Sequence, residues 1–287
     1  MPISVRNLNY VYSPGMPDET TALRDISFDV ADGTVLGIIG HTGSGKSTLL
    51  QHLNGLIRPT SGEIFIGDVC ITDGSAKMTD IRRRVGLVFQ YPEYQLFEET
   101  VGKDVAFGPS NLGLSDEEVQ ARVRKAIELV GLDYDDIKDA SPFELSGGKK
   151  RRAARAGVIA MDPEILILDE PTAGLDPKAH RDILSMIKRI HDEMDIILIF
   201  VSHNMADIAS LSDRVLVMNR GGIEFDGTPE EVFSHGSELA ALGLGLPPAR
   251  EIVEKIREKA PGFESRALST EQAASDIRRY MQKGTES

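Results

Sequence analysis

The sequence predicts an α/β protein organised around a sheet of parallel strands. Three predominantly apolar runs support this prediction: residues 35–39, 165–168 and 196–201. Runs of this length without alternation are typical of strands that are covered on both faces. Of the 287 residues, 41% are hydrophobic and 27% are charged. The chain is therefore long enough to bury a large core, and its composition is that of an ordinary globular protein.

A glycine-rich loop follows the first of these runs. Its residues are Gly40, His41, Thr42, Gly43, Ser44, Gly45, Lys46, Ser47 and Thr48, and leucines at helical spacing come next. The pattern G-x-x-x-x-G-K-S between a strand and a helix predicts a phosphate-binding loop, in preference to a glycine-rich turn that carries a lysine by chance. Glycines let successive N–H groups converge on one phosphate, and the start of the helix adds donors. Lys46 supplies positive charge to the β- and γ-phosphates of a nucleotide, and the Ser47 hydroxyl can bind Mg²⁺.

Net charge and cysteine content disfavour several classes of protein. The formal net charge is −13 and the isoelectric point about 5.0, which argues against a duplex nucleic acid as partner. Two short basic runs, residues 82–84 and 149–152, are more typical of a solvated face or a contact between subunits. Cys70 is the only cysteine, so we expect no disulfide within the chain. We expect no signal peptide, and no apolar run approaches the ~18 residues of a membrane helix.

Residues 3–39 are expected to be rich in β-structure. Residues 3–8 and 26–30 predict two strands ahead of the phosphate loop. Tyr10 and Tyr12 lie near that loop in sequence. An aromatic side chain there either stacks on a purine or packs on its neighbours, and spacing alone favours packing.

An aromatic segment follows the strand predicted over residues 85–89. The strand ends at Gln90, and residues 91–97 read YPEYQLF. Because proline interrupts this segment, we expect a surface loop. Its exposed apolar side chains indicate either a small hydrophobic cluster or a contact with a partner.

Helical patterns dominate the next part of the chain. Ser115 and Glu118 predict a capping box at the start of a helix that ends at Gly131. This helix indicates a helical subdomain over about residues 91–160.

A second anion site is predicted within that subdomain. Ser146 is the expected N-cap of a helix, and Gly147 and Gly148 leave N–H groups free at its positive end. A serine–glycine turn before a helix is also common without any function, so both interpretations stay open.

Polar residues follow the other two apolar runs. Asp169 and Glu170 end one run, at the edge of the sheet where ligands of open α/β sheets bind. Asp169 suits Mg²⁺ through its waters, and Glu170 can orient or deprotonate a water; a strand that merely leaves into a polar loop is the alternative. His203 follows the other run and is either a hydrogen-bonded cap or a catalytic contact.

The end of the chain carries no chemistry that its pattern reveals. A helix is predicted from Pro177 to about Ile190, and residues 215–218 and 223–225 predict a hairpin. From about Pro229 the pattern is helical. Residues 242–248 are typical of a linker, and a short helix is predicted after residues 269–271.

The order and separation of these motifs resemble those of the ATP-binding cassette ATPases. The resemblance rests on the phosphate loop, Gln90, LSGGKK, ILILDE, AGLD and His203, and it covers nearly all of residues 1–235. It implies an α/β P-loop ATPase domain with an antiparallel β subdomain and a helical subdomain. Residues 236–287 would form a small helical C-terminal extension.

The resemblance also implies how this chain would bind ATP. Tyr12 would stack on the adenine, and residues 40–48 would hold the phosphates. Ser47, Gln90 and Asp169 would arrange Mg²⁺ and its waters.

Further roles implied by the resemblance concern hydrolysis and a second subunit. Glu170 would polarise the attacking water, and His203 would contact the γ-phosphate. Residues 146–148 would complete the ATP site of a partner subunit, and Asp176 would lie across the dimer interface. Lys149 replaces the glutamine that usually follows this signature, and the sign of its effect stays open.

A narrower resemblance is carried by GHTGSGKST, LVFQYPEYQLFEETVGKDVAFGP, LSGGKKRRAARAGVIAMDP and LDEPTAGLDP. These stretches are similar to the energy-coupling factor transporter ATPases of the cobalt and vitamin uptake group, and to the second of their two non-identical ATPases. The resemblance implies three partners: a sister ATPase (or a second copy), a transmembrane coupling protein and a substrate-binding membrane component. The chain would sit peripherally at the cytoplasmic face of the membrane, with residues 91–97 as its docking surface.

Three alternatives remain. The chain could serve another class of ATP-binding cassette transporter. A non-transport cassette ATPase acting on DNA or ribosomes is disfavoured by the acidic charge and the absence of a second cassette. A P-loop kinase would leave residues 146–148 without a role.

Overall fold

The computed structural model describes residues 2–260 and 262–285. Its strands fall into two sheets, and its helices lie around them. The strands are β1 (Ile3–Tyr12), β2 (Thr20–Val30), β3 (Val35–Ile39), β4 (Ser61–Ile66), β5 (Val69–Cys70), β6 (Val85–Val88), β7 (Ile165–Asp169), β8 (Ile197–Val201), β9 (Arg214–Asn219) and β10 (Gly222–Gly227).

The helices are unevenly distributed along the chain, with a group between β6 and β7 and another at the C-terminal end. They are α1 (Lys46–Leu53), α2 (Met78–Arg84), α3 (Val101–Ser110), α4 (Asp116–Leu129), α5 (Tyr134–Ile137), α6 (Gly147–Ile159), α7 (Pro177–Met194), α8 (Met205–Leu211), α9 (Pro229–Val232), α10 (Gly236–Ala241), α11 (Pro248–Lys259) and α12 (Thr270–Thr285). Short 3-10 turns occupy Pro92–Gln95 and Pro142–Glu144. Among the described residues, no helix is long and apolar enough to cross a membrane.

The larger sheet determines where the polar residues meet. Its strand order is β10-β9-β3-β8-β7-β6, and all neighbours are parallel except the hairpin of β9 and β10. Because β3, β6, β7 and β8 run in the same direction, the residues that follow them emerge at one edge. The parallel sheet predicted from the apolar runs is therefore confirmed.

The smaller sheet is antiparallel, with the order β2-β1-β4-β5. Its apolar face packs against one side of the parallel sheet, with α1 sharing the same core. Buried residues of this core include Val5, Phe28 and Ile64 from the antiparallel sheet and Ile38 and Leu49 from β3 and α1. The other side of the parallel sheet is covered by helices that belong to a second core.

The predicted capping box at the start of α4 is present. The Ser115 Oγ accepts a hydrogen bond from the Glu118 backbone N–H at 3.3 Å, and the Glu118 carboxylate accepts one from the Ser115 N–H at 2.9 Å. Val119, Val123 and Ile127 are buried on the face of the helix that the periodicity predicts. The cap and the apolar face therefore agree on where this helix begins and how it packs.

Replacing Ser115 by alanine should destabilise the fold by about 1 kcal/mol, because the substitution leaves the Glu118 N–H without its acceptor. The free energy of unfolding in urea measures the effect. Ser110→Ala, at the exposed last residue of α3, is the matched control and should stay close to wild type. Equal stability of the two variants would contradict the assigned cap.

Several predicted boundaries differ from the structure. The strands predicted over residues 3–8 and 26–30 extend over Ile3–Tyr12 and Thr20–Val30. The helix that begins at Pro177 continues to Met194, because the polar residues after Ile190 extend it on its exposed face. Asp195 then ends it in a left-handed conformation (φ 51°), so β8 starts only at Ile197. The helix after residue 269 spans 16 residues and is not short.

The segment over residues 242–248 is packed and does not behave as a free linker. Leu244 is buried, and Leu246 lies partly buried against the core that includes Phe233 and Leu239. Beyond it, α11 and α12 enclose a separate small core that includes Val253 and Phe263. The boundary between residues 235 and 236 stays a prediction.

Candidate functional site

Four parallel strands deliver the predicted site residues to one edge of the sheet. Residue 40 follows β3, Gln90 lies two residues after β6, Glu170 follows β7, and His203 lies two residues after β8. The structure thus brings residues that are as much as 163 positions apart in the chain to the same edge of the sheet. Convergence at the carboxyl edge is what the parallel strand order requires.

The phosphate loop has the backbone that its glycines predict. Gly45 has φ 104°, and a Cβ there would lie 2.6 Å from the Ala22 carbonyl oxygen, so only glycine fits. The Lys46 Nζ donates to the carbonyls of Gly40 at 2.6 Å and His41 at 3.0 Å. Burial lowers the pKa of Lys46, while the charges of Glu170 and Asp169 oppose that shift. The ammonium group is thus folded over the loop that would receive a phosphate.

Two oxygen donors beside this loop suit a divalent cation. The Ser47 Oγ donates to the Asp169 Oδ2 at 3.2 Å. Burial raises the pKa of Asp169, and the Ser47 hydrogen bond, Lys46 and His203 work in the opposite direction. A carboxylate whose charge is penalised by burial gains from a nearby cation, and hard oxygen donors are what Mg²⁺ prefers. Half-buried Gln90 adds an amide oxygen at the end of the neighbouring strand. These residues therefore fit Mg²⁺.

A carboxylate and an imidazole meet next to this pair. The His203 Nε2 lies 2.7 Å from the Glu170 Oε1, with side-chain exposures of 49% and 19%. Glu170 has φ 49°, a left-handed backbone that costs a non-glycine residue on the order of 1 kcal/mol or more. The two side chains line a cleft of about 600 Å³. A strained acid that faces a cleft and contacts a histidine is suited to holding a water against a bound phosphate.

The structure separates the roles of the two N-terminal tyrosines. Tyr10 packs edge-on against Tyr12 and His52, with ring centroids 4.7 Å apart in each pair. Tyr12 is 40% exposed, and its hydroxyl lies 3.2 Å from the Thr48 Oγ1. The predicted packing role is therefore confirmed for Tyr10. The partly exposed ring of Tyr12 lies beside the phosphate loop. Stacking of Tyr12 on adenine stays a prediction.

The serine–glycine turn makes no contact with the phosphate loop, Asp169, Glu170 or His203 among the interactions of the described residues. Ser146, Gly147 and Gly148 are exposed at the start of α6, and no atom comes within 4 Å of a Cβ built on either glycine. Ser146 occupies the N-cap position, but its side chain makes no capping hydrogen bond, so that part of the prediction is wrong. The start of α6 is therefore exposed, and the Ser146 side chain does not occupy its backbone N–H groups.

Asp176 does cap a helix. Its Oδ1 accepts hydrogen bonds from the N–H groups of Lys178 at 2.9 Å and Ala179 at 3.1 Å, and these bonds lower the pKa of Asp176. The carboxylate thereby fixes the start of α7. A role for Asp176 across a dimer interface stays a prediction.

Sequence reasoning missed a polar group that fastens the loop after Glu170. Asp207, 2% exposed, accepts hydrogen bonds from the Thr172 Oγ1 at 3.1 Å and lies 2.9 Å from the His180 Nε2. The three residues come from a loop, α7 and α8. No spacing in the sequence links them, because each lies on a different element. Only the apolar neighbours of Asp207 signalled that this acid would be buried.

The fold and the site together define a P-loop nucleoside triphosphatase with a helical insertion and an antiparallel sheet. The family profile described as ABC transporter matches residues 23–173. A curated protein of Clostridioides difficile, named "Energy-coupling factor transporter ATP-binding protein EcfA2", is 56% identical over 96% of each chain. The chain belongs to the ATP-binding cassette (ABC) transporter family and, within it, to the energy-coupling factor transporter ATP-binding proteins. The predicted family and fold class are confirmed.

Two solved structures agree with this assignment. The cbiO1 protein of Clostridium perfringens, described as part of the ABC transporter complex cbiONQ, has a TM-score of 0.74 and 36% identity over 90% of this chain and 95% of that chain. A dimeric ATP-binding cassette in a post-hydrolysis state, bound to ADP and Pi, has a TM-score of 0.70 and 27% identity over 79% of this chain and 98% of that chain. The chain is an ABC-type ATPase.

Proposed function

We propose that this chain is the ATP-hydrolysing subunit of an energy-coupling factor importer and that residues 40–48, Asp169, Glu170 and His203 carry the reaction. The observation that supports this most directly is the 2.7 Å contact between the Glu170 and His203 side chains beside the Ser47–Asp169 pair. One group of residues binds phosphate, and the other faces the space where a water would attack. Uptake of a vitamin or a transition metal ion is the transport step that this hydrolysis would drive.

Each side chain has one task in the proposed mechanism. The Lys46 ammonium leaves the carbonyls of Gly40 and His41 and neutralises the incoming phosphates. Glu170 holds and polarises the attacking water, while His203 donates to the γ-phosphate. Mg²⁺, when bound by Ser47, Asp169 and Gln90, would neutralise charge that develops on the phosphate oxygens. Tyr12 would stack on the adenine.

A second ATPase subunit would complete the site. The N–H groups at the exposed start of α6 suit a phosphate that this chain does not itself hold. A dimeric relative bound to ADP and Pi supports such an arrangement. Residues 146–148 would then cover the nucleotide of the partner, which is a sister ATPase or a second copy of this chain. ATP bound between the two would hold them together, and hydrolysis would release them.

An exposed aromatic surface would attach this chain to its membrane partners. The docking surface predicted over residues 91–97 exposes Tyr91, Tyr94 and Phe97 by 45%, 84% and 56%, and Phe107, which is 52% exposed, extends it. Phe97 and Phe107 pack edge-on at 4.9 Å, and the rings of Tyr91 and Tyr94 lie 6.1 Å apart. Exposed apolar patches of this kind mark interaction sites. The partner would be the transmembrane coupling protein, which carries the substrate-binding membrane component and would place this chain at the cytoplasmic face of the membrane.

Substitutions in the docking surface should separate assembly from hydrolysis. We expect Tyr94→Ala combined with Phe97→Ala to prevent co-purification with the coupling protein and to leave ATP binding unchanged, because both side chains lie outside the phosphate site. Leu56→Ala, which also removes an exposed large apolar side chain, is the control. Normal assembly and normal substrate uptake in the double variant would overturn the docking proposal.

A further inference from the structure

Arg155 is a buried cation in the middle of α6. It is 2% exposed, and its Nη2 donates to the Pro171 carbonyl at 2.7 Å. Its Nε and Nη1 are buried and have no hydrogen-bond partner among the described residues. Pro171 directly follows Glu170 in the chain. The one hydrogen bond that the Arg155 guanidinium makes to the described residues therefore goes to the backbone next to the proposed catalytic acid.

Arg151 lies one turn earlier on the same face of α6. Its Nη1 donates to the Ala173 carbonyl at 3.1 Å, and its Nε forms an ion pair with the Glu93 Oε1 at 2.8 Å. Its guanidinium also lies over the Tyr91 ring, 5.6 Å from the centroid. Arg151 therefore contacts the loop after Glu170 on one side and the docking surface on the other.

Glu93 is the acid that pairs with Arg151 and whose charge also acts on Arg155. Its side chain is 16% exposed, and its Oε2 is buried without a hydrogen-bond partner in the described part of the chain. Burial and the charges of Arg151 and Arg152 lower the pKa of Arg155 to about 10, and the Glu93 charge opposes that shift. The group therefore holds two cations, one anion, and unpaired atoms on both Glu93 and Arg155.

This arrangement of charges lowers the stability of the folded protein. Like charges at i and i+4 of a helix repel each other, and a buried charge with unpaired atoms is destabilising. An apolar side chain of similar volume at residue 155 would avoid both costs. In return, the arginines provide directed hydrogen bonds. Each donates to one carbonyl of the loop that begins at Glu170. Buried polar groups that tie three segments together can hold one of them in a defined position.

We propose that Arg151 and Arg155 position the loop that carries Glu170, and that Glu93 makes this position respond to whatever binds the docking surface. The response that we propose requires a second arrangement, in which the unpaired Oε2 of Glu93 would pair with the unpaired nitrogens of Arg155. A shift of the docking surface that moves Glu93 from one arginine to the other would change their hold on the carbonyls of Pro171 and Ala173. Both parts of this proposal rest on the proposed role of Glu170, and the responsive part rests on the proposed docking as well.

Arg155→Met tests the positioning part in the ATPase without membrane partners. We expect kcat for ATP hydrolysis to fall on the order of 10- to 100-fold, with KM for ATP changed less than about twofold, because a misplaced Glu170 impairs the reaction and not ATP binding. Arg155→Lys should recover part of kcat, since an ammonium can still reach the Pro171 carbonyl. A purely structural arginine would give no such split and no such rescue.

Arg152→Met is the matched control on the same helix. Arg152 donates to the Val130 carbonyl at 2.7 Å, so it ties α6 to the end of α4 and not to the Glu170 loop. We expect this variant to be less stable than the wild type. At temperatures below its melting temperature, its kcat should equal that of the wild type. Wild-type kcat in folded Arg155→Met, or an equal fall of kcat in Arg152→Met, would overturn the proposal.

Glu93→Gln tests the responsive part, because it keeps the shape of the side chain and removes its charge. Because Arg151 loses its charged partner in both settings, hydrolysis by the Glu93→Gln ATPase alone is the reference. Relative to that reference, the stimulation of hydrolysis on assembly with the membrane partners should fall at least about fivefold. An equal effect in both settings would refute the link to docking. Failure of the docking proposal itself would show as normal assembly of the Tyr94→Ala and Phe97→Ala variant, and the Arg155 result would still stand.

Discussion

Replacing Glu170 by glutamine should abolish most ATP hydrolysis while ATP binding is retained. We expect the rate to fall on the order of 10²-fold or more, because an amide can still accept a hydrogen bond from His203 but cannot polarise a water as a carboxylate does. The phosphate loop and Asp169 are untouched. Since the nucleotide then persists, the ATPase subunits should accumulate as an ATP-bound dimer.

Steady-state hydrolysis and size-exclusion chromatography in the presence of ATP measure these two effects. Glu164→Gln is the matched control, since Glu164 stands just before β7 and forms an exposed ion pair with Arg84 at 3.1 Å. It should hydrolyse ATP at the wild-type rate. Normal turnover by the Glu170 variant would refute the role assigned to this residue.

Replacing Lys46 by alanine should remove tight ATP binding. The buried ammonium is the one group of residues 40–48 that carries a fixed positive charge, and each charge-assisted hydrogen bond to a phosphate contributes about 1.5–3 kcal/mol. Loss of its contacts to two phosphates should weaken binding on the order of 10²-fold or more. The substitution also leaves Asp169 and Glu170 without a neutralising charge, which repels the triphosphate further.

Equilibrium titration with a fluorescent ATP analogue measures the affinity. Lys103→Ala removes an exposed lysine that pairs with Glu99 at 2.7 Å and should bind ATP as the wild type does. Circular dichroism separates lost binding from lost folding. A folded Lys46→Ala protein with wild-type affinity would show that the phosphate loop does not depend on this charge.

Much of the architecture follows from patterns that are local in the sequence. Unbroken apolar runs identify β3, β7 and β8, and the spacing of Ser115 and Glu118 identifies the start of α4. Parallel strands then force the polar residues that follow them to one edge. The constellation of Ser47, Asp169, Glu170 and His203 was predictable for this reason, because each residue sits directly after its own strand or loop motif.

The contacts that hold this constellation in place were not predictable. The basic run at residues 149–152 was interpreted as a solvated face or a subunit contact, yet Arg151 and Arg152 are largely buried and bind carbonyls of other elements. Helical spacing places Arg151 and Arg155 on one face, but nothing in the spacing says that the face meets Glu93. Such contacts depend on tertiary packing between elements that are far apart in the chain.

The packed segment over residues 242–248 constrains any attempt to trim the protein. Gly245, Leu246 and Pro248 line the same cleft as Glu170 and His203. A chain shortened before residue 245 would lack these three lining residues. A deletion meant to probe the tail would therefore also change the lining of the candidate active site.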